Sequence, residues 1–163
     1  MKIQALHRYN QDVETVFKAF VDSDFMLGKY TALGARHIQI LDNANRGGTH
    51  FLKVAREVPA SVPGALKQFI SPWNKLVQSE QWQGEAGGTR RCRITIETPG
   101  IPVTIVGTLT LRPEGQGCVN DVQMEVSSNI PLVGRALSSF VGGETEKSVT
   151  AEYGYIKGQL DKG

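Results

Sequence analysis

Apolar and polar residues alternate through the middle of this chain with a period of two. Cys92, Ile94 and Ile96 are interleaved with Arg91, Arg93, Thr95 and Glu97. Val103, Ile105, Gly107, Leu109 and Leu111 alternate with Thr104, Val106, Thr108, Thr110 and Arg112, and Val122, Met124 and Val126 with Asp121, Gln123 and Glu125. Ile38 and Ile40, then Leu52, Val54 and Val58, continue the series. Such alternation predicts an antiparallel sheet with one covered and one wet face. Strands are expected near 36–42, 49–58, 76–83, 89–97, 103–112 and 118–127. Three of the links, "NANRGG", "GEAGG" and "PEGQG", have the composition of tight hairpin turns. A seventh strand-like run, Ile3 to Tyr9, comes first, with poorer alternation.

The period changes at both ends of the chain. After Tyr9, Asn10 is a good helix N-cap, and Asp12 and Glu14 are acids suited to a helix start. Val13, Val16, Phe17 and Phe20 then recur at helical spacing, giving a short helix to Val21. "DSDF" at Asp22 restarts with another cap, and Phe25, Met26, Leu27 and Tyr30 give a second short helix ended by Gly34.

The last stretch, Pro131 to Lys162, has no proline after its first residue and predicts one long helix. At about 1.5 Å per residue it would just overhang a compact body of this chain length. Its apolar stripe changes side. Val133, Ala136, Leu137, Phe140 and Val141 cluster on one face; Val149, Tyr153, Ile156 and Leu160 lie nearly opposite, and Ala151 with Tyr155 continue the first face. Either the helix bends there, or its C-terminal half is buried on two sides. Gly142 and Gly143 sit at the change, each at a cost of about 1 kcal/mol relative to alanine. They leave empty volume under the helix, or they permit close helix–sheet contact; both readings stand.

The longest connection, "PASVPGALKQFISPWNK" over 59–75, holds three prolines and room for a helical turn in "GALKQFI". It either packs against the sheet through Phe69, Ile70, Trp73 and Trp82, or acts as a lid.

Composition narrows the function classes. A net charge of +2 over 163 residues is too small to point to nucleic acid or anionic lipid. No run of about 18 apolar residues predicts a membrane span, and "MKIQALHRYNQ" has no secretion-signal block, so the chain reads as cytoplasmic. The length fits one domain, 1–163. Cys92 and Cys118 have no metal or redox spacing and read as buried free thiols. His7, His37 and His50 are dispersed and read as surface histidines. No nucleophile, zinc or phosphate-loop motif is present, so no metal and no cofactor is expected.

The element order is strand, two short helices, six strands, long helix. With "YNQDVETVFKAFVDSDF" at the start and "IPLVGRAL" leading into the last helix, it resembles the START-like (SRPBCC, helix-grip) superfamily over the whole chain. The segments "ALGARHIQILD", "EVPASVPGALKQFI" and "VQSEQWQ" look closest to an uncharacterised bacterial, DUF2505-like branch. The resemblance implies an α+β fold: a curved antiparallel seven-stranded sheet wrapped around the C-terminal helix, with two short helices after strand 1. It also implies a deep apolar cavity between sheet and helix, and no particular reaction.

The expected walls of that cavity are Ile38, Ile40, Leu52, Val54, Ile105, Leu109, Val122, Met124, Leu137, Phe140 and Val141. The expected occupant is a hydrophobic or amphipathic small molecule: a lipid, isoprenoid, polyketide or aromatic metabolite. Arg56 shares parity with Leu52 and Val54, and Glu80 with Trp82. An Arg56–Glu80 pair could orient a polar ligand head, although the rarity of buried Arg and Glu favours the sheet rim. Glu144 lies one turn beyond Phe140, as a cavity carboxylate or a solvated residue. The alternatives are a cyclase or hydrolase using Arg56, Glu80, Glu144 and Tyr9, or a non-catalytic interaction domain.

Overall fold

The computed structural model covers residues 1–163. Strand β1 (Lys2–Tyr9) leads into helices α1 (Val13–Val21) and α2 (Ser23–Ala32). Six strands follow: β2 (Arg36–Arg46), β3 (Thr49–Pro59), β4 (Trp73–Gly84), β5 (Arg90–Glu97), β6 (Thr104–Glu114) and β7 (Gly117–Ser127). The chain ends in α3 (Gly134–Lys162). All seven strands form one sheet in the order β1-β7-β6-β5-β4-β3-β2, every neighbouring pair antiparallel. This is the expected α+β arrangement of a curved sheet and a long terminal helix. The alternating strands found their partners because each hairpin keeps its apolar parity on the concave side. Leu52, Val54 and Arg56 on β3 stand in register with Glu80, Gln78 and Leu76 on β4.

One local expectation is corrected. The cap of α1 is Asp12, not Asn10: its Oδ1 accepts from the Thr15 backbone N–H at 2.9 Å. Asn10 instead donates its amide to Asp161 near the end of α3. Asp22 caps α2 as expected, accepting from the Phe25 N–H at 2.8 Å.

Helix α3 runs unbroken through its glycines. Its stripe changes side because its two halves meet different neighbours. Leu137 is fully buried against Leu66 and Ile70 of the 59–75 connection, with Phe140 and Val141 beside it. That connection holds one 3-10 turn, Gly64–Leu66. The second half is buried on two sides: Tyr153 stacks on His7 of β1, while Tyr155 meets Phe25 of α2 edge to face.

The glycines have separate reasons. A Cβ at Gly142 would collide with the side chain of Met1, the residue before β1, so close approach of the N-terminal residue accounts for that position. A Cβ at Gly143 would meet nothing within 4 Å. Gly143→Ala is therefore expected to stabilise the protein by about 0.5–1 kcal/mol, while Gly142→Ala shows no such gain. Thermal unfolding of the two variants checks this; equal gains would contradict it.

Candidate functional site

The concave face of the sheet, α2 and α3 line a cavity of about 400 Å³ that is partly open to solvent. Of its 39 lining residues, 25 are hydrophobic. It is thus a mainly apolar space within the usual size range for small-molecule sites. Leu52, Arg56, Glu80, Ile105, Leu109, Val122, Met124, Phe140, Val141 and Glu144 line it, as does Tyr9.

Ile38, Ile40, Val54 and Leu137 lie outside the lining. Ile38, Ile40 and Val54 face inward but are covered by Met26 and Tyr30 of α2. β2 also carries two register shifts, between Arg36 and Gln39 and between Ile40 and Asp42. Leu137 points into the cluster with Leu66 and Ile70. Strand parity sets the face of the sheet, but not whether a helix already fills the space above it.

The cavity has a polar wall. Arg56 and Glu80 are only 5% and 8% exposed, so both lie inside and not at the rim. They do not touch directly; Gln78 joins them. Arg56 Nη2 donates to Gln78 Oε1 at 3.1 Å, and Gln78 Nε2 donates to Glu80 Oε2 at 2.5 Å. The other Glu80 oxygen accepts from Trp82 Nε1 at 2.8 Å. Three alternate residues of β4 thus form one hydrogen-bonded row, and β3 supplies its cationic end. Burial of the Gln78 amide and of both Glu80 oxygens is tolerable because they are bonded within this row.

A second polar group comes from the helices. Lys29 Nζ of α2 lies 3.0 Å from Glu152 Oε1 of α3. It also sits 4.4 Å from the Tyr30 ring centre, whose ring carries Arg56 at 4.2 Å. Burial alone would lower the pKa of Lys29, but the charge interactions with Tyr30 and Glu152 outweigh it and hold the ammonium above the ordinary lysine range. Glu144, by contrast, pairs with Lys147 at 3.3 Å on the more exposed part of α3.

His7 is corrected from a surface to a cavity residue. It is 9% exposed and stacks on Tyr153, with ring centres 4.1 Å apart. Burial lowers its pKa, against a smaller opposing pull from Glu152. The neutral ring is therefore favoured in the folded state. As pH falls below about 6.5 the unfolded chain takes up this proton first, and stability is lost. His50, whose pKa burial also lowers, acts in the same window. His7→Phe, which keeps a stacking ring, is expected to reduce the stability lost between about pH 7 and about pH 5. Urea unfolding at both pH values measures it; an unchanged loss would contradict the assignment.

Lys29, Gln78, Asn120, Glu152 and His7 were missed as site residues. Parity contained a signal for two of them: Gln78 shares parity with Glu80 and Trp82, and Asn120 with Val122 and Met124. Lys29 and Glu152 meet only across two helices and leave no such trace. Of the two tryptophans, Trp82 is buried in the cavity wall, whereas Trp73 is exposed beneath the Arg36 guanidinium.

The reactivity of the other groups is low. Cys92 and Cys118 are buried free thiols, as expected; burial raises both, that of Cys118 to about 11. Burial likewise raises the Tyr9 phenol. No helix is long and apolar enough to cross a membrane.

A family model described as "Protein of unknown function (DUF2505)" matches residues 4–160, and the chain belongs to that family. No functionally curated protein matches it in sequence. Among solved structures, TTHA0849 from Thermus thermophilus is 17% identical with a TM-score of 0.65, over 98% of this chain and 97% of that one. Ms6760 from Mycobacterium smegmatis is 9% identical with a TM-score of 0.64, over 99% and 91%. A STAR-related lipid transfer protein from Xanthomonas axonopodis (fragment 25-204) is 15% identical with a TM-score of 0.56, over 95% and 85%. At such identities the likeness is one of fold, and the fold is START-like.

Proposed function

We propose that this protein, acting as one domain, binds a hydrophobic or amphipathic small molecule between its sheet and α3. The observation that carries this reading is the cavity itself: about 400 Å³, mostly apolar, with a bonded polar row on one wall. An apolar body would be held by burial, at about 25 cal/mol per Å² removed from water. The polar wall would fix which end of the molecule enters first. That the Xanthomonas neighbour is a STAR-related lipid transfer protein supports this ligand class. Lipids, isoprenoids, polyketides and aromatic metabolites all fall within it.

Binding is favoured over turnover by the state of the polar groups. Glu80 has both oxygens engaged by donors of its own strand, Glu144 is paired on α3, and Tyr9 is held as a neutral phenol. The neutral dye N-phenyl-1-naphthylamine tests the reading. Saturable fluorescence enhancement at micromolar dye is the expected result; no enhancement at any dye concentration would sink it.

A further inference from the structure

The Arg56 guanidinium has one arm engaged and one arm without a partner. Nη2 is bonded to Gln78, and Nη1 is buried without a hydrogen-bond partner. The side chain lies in the cavity lining and is 5% exposed. Its charge has no direct counter-ion either. Gln78 is neutral, Tyr30 offers only its ring face, and Glu80 is reached only through Gln78. The contrast is with Lys29, the other cation on the same tyrosine ring, which is paired with Glu152. A buried cation without a touching anion is costly, and so is a buried donor without an acceptor. One group of opposite charge at Nη1 would relieve both costs.

Resting on the ligand-binding reading above, we propose that the cavity takes an amphiphile carrying a carboxylate. One carboxylate oxygen accepts from Arg56 Nη1, and the hydrocarbon body lies along the apolar wall of Leu76, Ile96, Ile105 and Met124. A ligand hydroxyl would satisfy the donor but leave the charge uncompensated. A phosphate would bring more charge and more acceptor oxygens than one free arm can serve, since Lys29 is already paired. A carboxylate matches one unpartnered arm and one unpaired charge. Arg56 is suited to it, because its guanidinium stays charged when buried and donates in a fixed plane.

The test displaces bound N-phenyl-1-naphthylamine from the full chain with decanoate, 1-decanol and methyl decanoate. These share a ten-carbon chain and differ in the head. Decanoate is expected to compete at concentrations on the order of tenfold lower than either neutral compound, the scale of a hydrogen bond to a charged group. Arg56→Met is expected to lose the preference, and Arg56→Lys to keep part of it. Equal competition by the three compounds, dye binding that none of them displaces, or a preference that survives Arg56→Met would overturn the carboxylate assignment while leaving the ligand-binding reading in place. Failure of the dye itself to bind would count against that broader reading. Should Arg56→Met not fold, the comparison of the three compounds on the unaltered protein still decides.

Discussion

Lys29→Met is expected to lower the unfolding free energy by about 3 kcal/mol, the low end of what breaking a buried ion pair costs. The lysine is 8% exposed and its ammonium lies 3.0 Å from Glu152. Methionine matches its length and supplies apolar surface, so little packing is lost. The cost comes from Glu152, left without its ion-pair partner while its side chain is only one-fifth exposed. That residual exposure places the effect at the low end of the range. Removing the orphaned charge as well, in Lys29→Met/Glu152→Leu, is expected to recover most of the loss, because two apolar groups replace two that had to be desolvated. Urea unfolding of the single and double variants gives the coupling. A single variant within about 0.5 kcal/mol of the parent would mean that water reaches the pair.

Leu109→Trp is expected to abolish binding of N-phenyl-1-naphthylamine while leaving the fold intact. Leu109 lies on β6 and is only partly buried, because its side chain lines the cavity. The indole would therefore grow into open volume and occupy the space that the dye needs. In a filled core the same change would force rearrangement at a cost of about 1–3 kcal/mol. Here it should cost little or add stability, since part of the added surface is buried. The two readouts separate the cases. Lost dye binding with an unchanged or raised melting temperature supports an open cavity. Retained dye binding would place the dye elsewhere, and a collapsed melting temperature would show that the space is already filled.

The strands were legible because their signal is local. Successive side chains of a strand point to opposite faces, so Leu52, Arg56, Glu80, Ile105, Val122 and Met124 carried their inward direction in parity alone. The same rule covered Gln78 and Asn120, though neither stood out among better-known functional residue types. The helices were legible in extent but not in partnership. The face change in α3 was visible, yet the stripe could not say that Leu137 meets the 59–75 connection while Tyr153 meets His7. The pair of glycines posed one question and received two answers, because only one of them has Met1 packed beside it.

By itself, the order of residues determined seven strands, three helices, the hairpin turns between most strands and the inward face of the sheet. It also put Arg56 and Glu80 on the parity of that face, but favoured the rim for both. Only the folded chain decided that Gln78 bridges them, that Lys29 reaches Glu152, and that α2 covers Ile38, Ile40 and Val54 while leaving Leu52 and Leu109 open to the cavity. The physical reason is range. Strand direction and helix spacing are set by neighbouring residues along the backbone. The distance between two side chains far apart in the chain depends on how strongly the sheet curls and how closely the helices rest on it.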